Sequence, residues 1–454
     1  MRLFSARCAG VTNACLHKSL RKTRINNTIP LMENELSRLL INVLFVLALV
    51  LGWQTVCADE HSDPYLEQAR AILKKAPLVD GHNDLPMVIR DEVDGNVEGH
   101  DISVPASHDT DIPRLRAGGV GTQFWSVYVP SSLPPLQAVR QQLEQIDIAL
   151  RLIRLYPDDL VLATTVAGIE QARKEGKIAS LIGIEGGHTI VNSLGVLRAY
   201  YELGTRYMTL THYHSNDWAD SATDDARHDG LSGFGKEVIR EMNRLGMMID
   251  LSHVSPKTMN DVLDVTEAPV IFSHSSAQAL TSHKRNVPDD VLKRVTGNDG
   301  VVMVTFIPDF VSEERKQWAE ELEPITRDLT TEAEWNAAAE EYKKTHGEPP
   351  VGTLSQVADH IEYVARVAGY DHVGIGGDFY GQSGDDLVKG LEDVSRYPYL
   401  VAELLRRGWS EENLARLTRN NLLRVFGQVE KVAGRLQAQR PPSLMQFEDR
   451  AKGP

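Results

Sequence analysis

The sequence predicts an α/β fold, a closed (β/α)8 barrel of the TIM type. Eight short apolar runs with the character of strands alternate with helical patterns over about 300 residues, as in repeated βαβ units. Six of the eight runs end on a His, Asp or Glu. Because the carboxyl ends of the strands meet at one mouth of such a barrel, where active sites form, these side chains are expected to converge.

The predicted strands are residues 78–84, 120–129, 181–185, 208–212, 248–253, 270–274, 300–306 and 373–378. Helical patterns between them include residues 136–155, 195–203, 234–245 and 287–295, and residues 354–368, 398–407 and 411–426 supply closing helices. The charged segment 312–350 is expected to form a solvated helical insertion on the rim. A doubly wound open sheet is the alternative, but its chemistry would come mainly from one switch point rather than from nearly every strand.

An apolar run near the N-terminus predicts a signal peptide. It covers Leu39–Leu51 and follows Arg38, and its 13 residues are fewer than the about 20 that a membrane-spanning helix needs. The small residues before Asp59 predict cleavage after Ala58 and export to the periplasm or the exterior, and Met32 is an alternative start. An uncleaved N-terminal anchor is the other interpretation. The expected division is residues 1–58 as extension and signal peptide, 59–430 as barrel and 431–454 as polar tail.

Charge and cysteine content exclude several classes of partner and cross-link. The protein carries a net charge of −15, and residues 1–58 carry +5, which leaves −20 for the remainder. This acidity argues against nucleic acid as a partner, and contact with a membrane is expected only through an uncleaved N-terminal segment. The three cysteines, Cys8, Cys15 and Cys57, all precede Ala58, so the mature protein is expected to lack disulfides.

Five residues at the ends of the predicted strands have the chemistry of metal ligands. His82 and Asp84 stand at i and i+2, on the same side of an extended segment, and could hold one cation together. His253 and His274 could supply a second pair, and Glu185, with two oxygens, is the natural bridge between two cations. Two cations that share a carboxylate can also share a hydroxide, which attacks amide or ester carbonyls. The sequence therefore favours a metal-dependent hydrolase.

The remaining histidines are expected to lie elsewhere. A surface position is expected for those in polar loops or helical stretches: His61, His100, His108, His228, His346 and His360. His188 and His214 follow candidate site residues and are expected on the rim, and His372 is expected at the opposite end of the barrel. Taken by itself, Arg285 also indicates a surface charge, because it follows Lys284 in a loop.

Seven sequence blocks follow one another between about residue 65 and residue 428. They are DGHNDLP at 80–86, GIEGGH at 183–188, DLSHVS at 250–255, FSHSSA at 272–277, RNVPDD at 285–290, GGDF at 376–379 and GLEDV at 390–394. Together they resemble the signature blocks of the membrane dipeptidase (renal dipeptidase) family of zinc metallopeptidases. The resemblance covers nearly all of the expected mature chain.

The resemblance implies two Zn²⁺ ions per chain, one held by His82 and Asp84 and the other by His253 and His274. Glu185 would bridge them and so belongs to the catalytic set. His and carboxylate ligands also suit manganese or cobalt, so the choice of zinc comes from the family.

The resemblance also implies roles for three further residues. His212 matches the imidazole that polarises the substrate and stabilises the oxyanion. Arg285 matches the residue that binds the free α-carboxylate, for which a guanidinium group is well shaped. Asp378 matches the carboxylate that carries a proton from the attacking water to the leaving amine. All three are expected to contact the substrate.

The expected activity is hydrolysis of dipeptides with a free C-terminal carboxylate, with C-terminal D-residues and β-lactams as further substrates that the family implies. The alternative is the same site acting on N-acyl amino acids or cell-wall peptide fragments. A binding protein on an inactive barrel is disfavoured because all five candidate ligands are present. Related enzymes are often dimers, so a homodimer is one expectation.

Overall fold

The structure, a computed structural model, describes residues 63–105, 109–327, 329, 332–381 and 387–447. The predicted signal peptide, the cleavage point after Ala58, the three cysteines, His61 and His108 lie outside the described residues. Among the residues that it does describe, no helix combines the length and apolar character that a membrane crossing requires.

Nine parallel strands form the frame of the described chain. They are β1 Leu78–Asn83, β2 Val120–Ser126, β3 Leu160–Leu162, β4 Ile178–Glu185, β5 Thr205–Thr209, β6 Met248–Asp250, β7 Ile271–Phe272, β8 Val301–Val304 and β9 Val373–Ile375. Eight of them pair in the order β1, β2, β4, β5, β6, β7, β8, β9, and β9 pairs with β1 to close the ring. This arrangement confirms the predicted (β/α)8 barrel.

The ninth strand, β3, was not predicted. Leu160 pairs with Ile178 at the start of β4, on the edge of β4 that β5 occupies further along, so β3 lies outside the ring. Leu160 is its single buried residue. A strand of three residues with two side chains towards solvent leaves too weak an apolar pattern to be detected.

At the mouth of the barrel several strands end earlier than predicted. The ends of β5, β6 and β9 precede His212, His253 and Asp378 by about three residues each, and these residues lie in the following loops. Beyond the end of β6 a side chain takes the place of a backbone acceptor. The carboxylate of Asp250 accepts from the backbone N–H groups of both Ser252 and Ser273. Long-range partners of this kind are not visible in a local sequence pattern.

Helices surround the ring. They are α1 Pro64–Lys75, α2 Leu85–Val93, α3 Ile112–Ala117, α4 Pro135–Leu155, α5 Val166–Lys174, α6 Leu194–Glu202, α7 Gly233–Leu245, α8 Pro256–Val265, α9 Asp289–Asn298, α10 Pro308–Val311, α11 Glu313–Thr326, α12 Glu332–His346, α13 Leu354–Ala368, α14 Tyr397–Arg406, α15 Glu411–Ala415 and α16 Asn421–Gln439. Five predicted helices agree to within one residue at each end. The helix predicted at 287–295 begins later, because Val287 pairs with Ala277 and Pro288 is the N-cap.

The predicted insertion 312–350 is helical, as expected. It forms α11 and α12, whose mostly exposed faces agree with a solvated segment. The two helices also share a small cluster of their own, in which Leu322, Ala339 and Tyr342 are buried against Trp318.

The last helix runs past residue 430, where the polar tail was expected to begin. Val429, Ala433 and Leu436 of α16 are buried, so residues 431–439 belong to the packed fold. Residues 440–447 have no regular structure. They nevertheless lie on the barrel domain, because Arg198 donates to the carbonyl of Ser443 and the ring of Phe447 packs edge-on against Phe234.

Two histidines that were expected at the surface are buried, so that prediction was wrong for His100 and His360. His360 lies on the inner face of α13, where Nδ1 accepts from the backbone N–H of Ala277 at 3.0 Å. Burial lowers the pKa of His360 to about 4. A histidine in a helical pattern is assigned to the surface by default, and only the loop that packs against α13 supplies the partner that permits burial.

Neutral His360 is expected to make folding sensitive to acid. Between pH 6.5 and about 4 the unfolded chain binds a proton at this position and the folded chain does not, so stability falls as the pH falls. By linkage the cost at pH 5 is about 2 kcal/mol. His360→Asn keeps an acceptor for the N–H of Ala277 and loses the titrating group. Urea denaturation at pH 7 and pH 5 should show that the variant loses about 2 kcal/mol less than wild type; an equal loss would refute the assignment.

Candidate metal centre

The five candidate ligands come together at the mouth of the barrel. His82 and Asp84 stand at the end of β1, Glu185 ends β4, and His253 and His274 follow β6 and β7. All five are buried, none more than 5% exposed. The predicted convergence of these side chains is therefore what the structure shows.

Glu185 lies between two groups of side chains, and each of its oxygens faces a different group. Its Oε2 is 3.6 Å from Nε2 of His82, which is itself 3.4 Å from Oδ2 of Asp84. Its Oε1 is 2.9 Å from Nε2 of His253 and 3.4 Å from Nε2 of His274. Each group, with Glu185 included, has three ligand atoms within 4.8 Å of one another. One carboxylate is thus positioned to be shared by two cations.

The extended segment that was predicted to hold both His82 and Asp84 ends at Asn83. Asp84 is not in extended backbone but is the N-cap of α2, with φ −91° and ψ 19°. The two side chains meet because the chain turns into the helix at this point. The position of Asp84 therefore depends on the start of α2 and not on strand alternation.

Asp378 lies beside this centre. Together with His82 and His274 it forms a third group of mutually close ligand atoms, and its Oδ1 is 3.9 Å from Nε2 of His82. Burial, together with the nearby carboxylates of Asp84 and Glu185, raises the pKa of Asp378 well above its usual value. The carboxyl group is thus close to the candidate ligands and suited to hold a proton.

The pKa shifts of the candidate ligands suit the binding of a divalent cation. Burial lowers the pKa of His253 and His274 well below 6.5, and the positive charge of Arg285 lowers both further, so both imidazoles keep a lone pair for a metal. Burial raises the pKa of Glu185. For His82 burial lowers the pKa, but Tyr207, Asp84 and Glu185 raise it by more.

Two buried ligand atoms support the same conclusion. Nε2 of His82 and Oδ1 of Asp84 have no hydrogen-bond partner among the described residues. Buried polar atoms without partners are rare in folded proteins. Neutral imidazoles and carboxylates are the donors that zinc and similar divalent ions prefer. The residues present therefore fit a metal centre.

The backbone at the mouth is strained or tightly packed where it carries site residues. His253 has φ +69° and Asp378 has φ +59°, in the left-handed region that non-glycine residues rarely adopt. A Cβ on Gly376 would collide with the carbonyl oxygen of Ser273, so glycine is required where the loop after β9 passes close to the loop after β7. Gly376 thus permits a close approach of two backbone segments just before Asp378.

Four of the five candidate ligands line a cavity of about 670 Å³: Asp84, Glu185, His253 and His274. Aromatic rings form much of its wall: Tyr128, Tyr213, Phe310 and Tyr380. No local sequence pattern marks these rings as pocket residues, because Tyr128 lies at the end of the predicted strand 120–129, Phe310 lies on α10, and Tyr213 and Tyr380 lie in loops. The volume and the mixed lining suit a small molecule with polar and apolar parts.

Arg285 lines this cavity and is 1% exposed. The surface position expected from the residues alone was wrong. Its guanidinium carbon lies 5.3 Å from the centre of the Phe310 ring, and its three nitrogens have no hydrogen-bond partner among the described residues. A buried cation without a partner is costly, so Arg285 is well placed to bind an anionic group in the cavity.

His212 also lines the cavity. Its Nε2 is 3.8 Å from Oε1 of Glu185, and the rings of Tyr128 and Tyr213 lie against it with centroids 4.8 and 4.0 Å away. Burial, followed by the charge of Arg285, lowers its pKa well below 6.5. The imidazole is therefore neutral near pH 7 and can donate one hydrogen bond into the cavity.

His188, His214 and His372 lie outside the group of candidate ligands. His188 and His214 line a separate cavity of about 380 Å³, with Nδ1 of His214 2.7 Å from Oγ of Ser131. His372 hydrogen-bonds the carbonyl of Gly300, at the start of β8 and hence at the opposite end of the barrel, as predicted.

Two buried carboxylates that sequence reasoning did not single out hold the centre in place. Asp80 accepts from the backbone N–H of Gly377 and from the hydroxyl of Tyr397, which ties β1 to the loop that carries Asp378. Asp250 ties β6 to β7 through Ser273. Each stands two or three positions before a candidate histidine ligand, and that spacing is the signal that could have found them.

Comparisons with known proteins identify the family and the fold of the chain. Residues 66–440 match the family model described as membrane dipeptidase (peptidase family M19). The chain is similar to the probable dipeptidase PvdM from Pseudomonas aeruginosa, with a TM-score of 0.73 and 24% identity over 82% of this chain and 100% of that one. It is also similar to a metallopeptidase from Rhodobacter sphaeroides, liganded with a phosphinate mimic of the dipeptide L-Ala-D-Ala, with a TM-score of 0.64 and 24% identity over 78% and 99% of the two chains. At this identity the structural likeness establishes the fold.

Proposed function

The chain belongs to the membrane dipeptidase family, and from this premise we propose that it is a dizinc metallopeptidase that cleaves dipeptides with a free C-terminal carboxylate. The observation that carries the proposal is the position of Glu185, whose two oxygens face two separate histidine groups. A carboxylate that bridges two cations requires this arrangement.

In this proposal His82 and Asp84 hold one zinc ion, His253 and His274 hold the other, and Glu185 bridges them. When bound, the two ions supply Lewis acidity that activates water near neutral pH. The neutral state of His253 and His274, which follows from their lowered pKa, keeps them ready to bind metal without first releasing a proton.

Three further residues act on the substrate. Arg285 binds its C-terminal carboxylate, since the unpaired guanidinium lines the cavity and matches a carboxylate in shape. His212 donates its ring N–H to the oxygen that becomes negative during attack on the peptide carbonyl. Asp378, whose pKa is raised by burial, accepts a proton from the attacking water and passes it to the leaving amine.

The cavity suits a small peptide. Its volume of about 670 Å³ lies in the range of small-molecule sites. We include C-terminal D-residues among the substrates, with support from the Rhodobacter sphaeroides metallopeptidase and its L-Ala-D-Ala mimic. We also include β-lactams, because they present an amide carbonyl near a carboxylate. N-acyl amino acids and cell-wall peptide fragments are the alternative substrates for the same site.

The proposal also covers the location of the enzyme, the start of its catalytic domain and its oligomeric state. We propose export after cleavage near Ala58, on the strength of the 13-residue apolar run Leu39–Leu51, and otherwise attachment to the membrane by the same segment. We propose a catalytic domain that begins at Asp59, and a homodimer as in related enzymes.

Dipeptide hydrolysis tests the reaction. The purified chain from Asp59 is expected to cleave L,L and L,D dipeptides, to contain about two zinc ions per chain, to lose activity on chelation and to regain it with zinc. The measurement combines a dipeptide panel with metal analysis of the same sample. Two metals without dipeptide cleavage would move the function to another amide, and absence of metal would refute the proposal.

Arg285→Ala tests the carboxylate site. Loss of the charge-assisted contact is expected to lower kcat/KM for free dipeptides about 100-fold. A dipeptide with an amidated C-terminus lacks the carboxylate and should be cleaved equally slowly by both proteins. Lys284→Ala removes the adjacent, exposed basic residue and is the control, expected to keep wild-type activity. Unchanged or raised activity of Arg285→Ala on free dipeptides would show that this assignment is wrong.

A further inference from the structure

One candidate ligand, His82, is contacted from the far side of the barrel. Its Nδ1 lies 2.9 Å from the hydroxyl of Tyr207, which belongs to β5, a strand that is not a neighbour of β1 in the ring. The Tyr207 hydroxyl in turn donates to the carbonyl of Gly81 at 3.3 Å. Tyr207 is fully buried, so this contact crosses the interior of the barrel.

The direction of these hydrogen bonds decides which nitrogen of His82 has a lone pair. A phenol has one proton and a carbonyl can only accept, so both contacts are hydrogen bonds only when the phenol donates to the carbonyl of Gly81. The phenol oxygen must then accept from Nδ1 of His82, which leaves the lone pair on Nε2, beside Asp84 and Glu185. The opposite tautomer would direct an N–H at these carboxylates and could not bind a cation through Nε2.

The barrel interior is shaped to admit the Tyr207 ring. A Cβ on Gly183 of β4 would collide with it, so glycine is required at that position. On another side the ring of Phe124 packs against it, with centroids 5.2 Å apart. The ring is thus held in one place, and its hydroxyl is directed at β1.

The hydrogen bonds from His82 through Tyr207 to the carbonyl of Gly81 form a relay. A second relay of the same kind lies behind His274 and ends on a carboxylate. Nδ1 of His274 is 2.8 Å from Oγ of Ser273, and this hydroxyl donates to Oδ2 of Asp250 at 2.6 Å. Its proton is therefore directed to the carboxylate, and Nδ1 of His274 donates to the serine oxygen. The lone pair of His274 is left on Nε2, which faces Glu185.

We propose that Tyr207 and Ser273 are positioning residues, each of which holds one histidine, His82 or His274, in the tautomer that binds metal. The two relays share no residue, so each hydroxyl controls one of the two metal positions. This inference rests on the proposed dizinc function and deepens it.

Zinc titration of the metal-free protein against a chromophoric chelator tests the inference. Tyr207→Phe keeps the ring and loses the hydroxyl, and is expected to weaken one of two zinc-binding steps by about 10–100-fold. Ser273→Ala is expected to weaken the other step by a similar factor. Combination with Asp84→Asn identifies the positions: on that background Ser273→Ala should still weaken the surviving site, and Tyr207→Phe should not. Cobalt titration, followed by absorption, gives a second readout of the same two positions.

Tyr200→Phe is the matched control. It removes the hydroxyl of another buried tyrosine, which donates to the carbonyl of Thr189, and is expected to leave both zinc affinities unchanged. The inference would be overturned if Tyr207→Phe bound zinc with wild-type affinity. It would also be overturned if Tyr207→Phe and Tyr200→Phe weakened both zinc-binding steps to the same extent. A wild-type protein that binds fewer than two zinc ions would instead contradict the proposed function, and the inference would fail with it.

Discussion

The burial of Glu185 between two groups of imidazole and carboxylate ligands is the constraint on which the rest of the site depends. Both of its oxygens lie within 3.6 Å of histidine nitrogens, and burial raises its pKa. A protein interior does not tolerate so many polar atoms without compensation. In the proposed function divalent cations provide that compensation, and the closed ring of strands holds the candidate ligands close together.

A second layer of buried polar groups holds this arrangement of candidate ligands in place. Asp80 accepts from the loop that carries Asp378 and from Tyr397 of α14. Asp250 accepts from the loops that carry His253 and His274. The two carboxylates connect β1 to the loop after β9, and β6 to β7. Each carboxylate therefore acts as a short cross-link between neighbouring strands at the end where strand pairing stops. The left-handed backbone of His253 and Asp378 persists because these contacts hold the loops.

The sequence was sufficient for those parts of the structure that follow from local patterns. Apolar runs that end on His, Asp or Glu predicted the barrel and the convergence of the five candidate ligands. Local patterns were not sufficient elsewhere. The strand β3 is too short to leave a pattern, and His360 is buried because another loop supplies the N–H that donates to its ring. The local sequence around Arg285 indicated a surface position. Only the fold brings its side chain into the cavity. The aromatic residues of the cavity wall were not predicted, for the same reason.

Anomalous diffraction at the zinc absorption edge, from crystals of the zinc-loaded protein, is the most direct test of the shared carboxylate. The account predicts two peaks, one on each side of Glu185, each about 2.0–2.2 Å from its histidine and carboxylate ligand atoms. A single peak, or peaks that do not both contact Glu185, would contradict it.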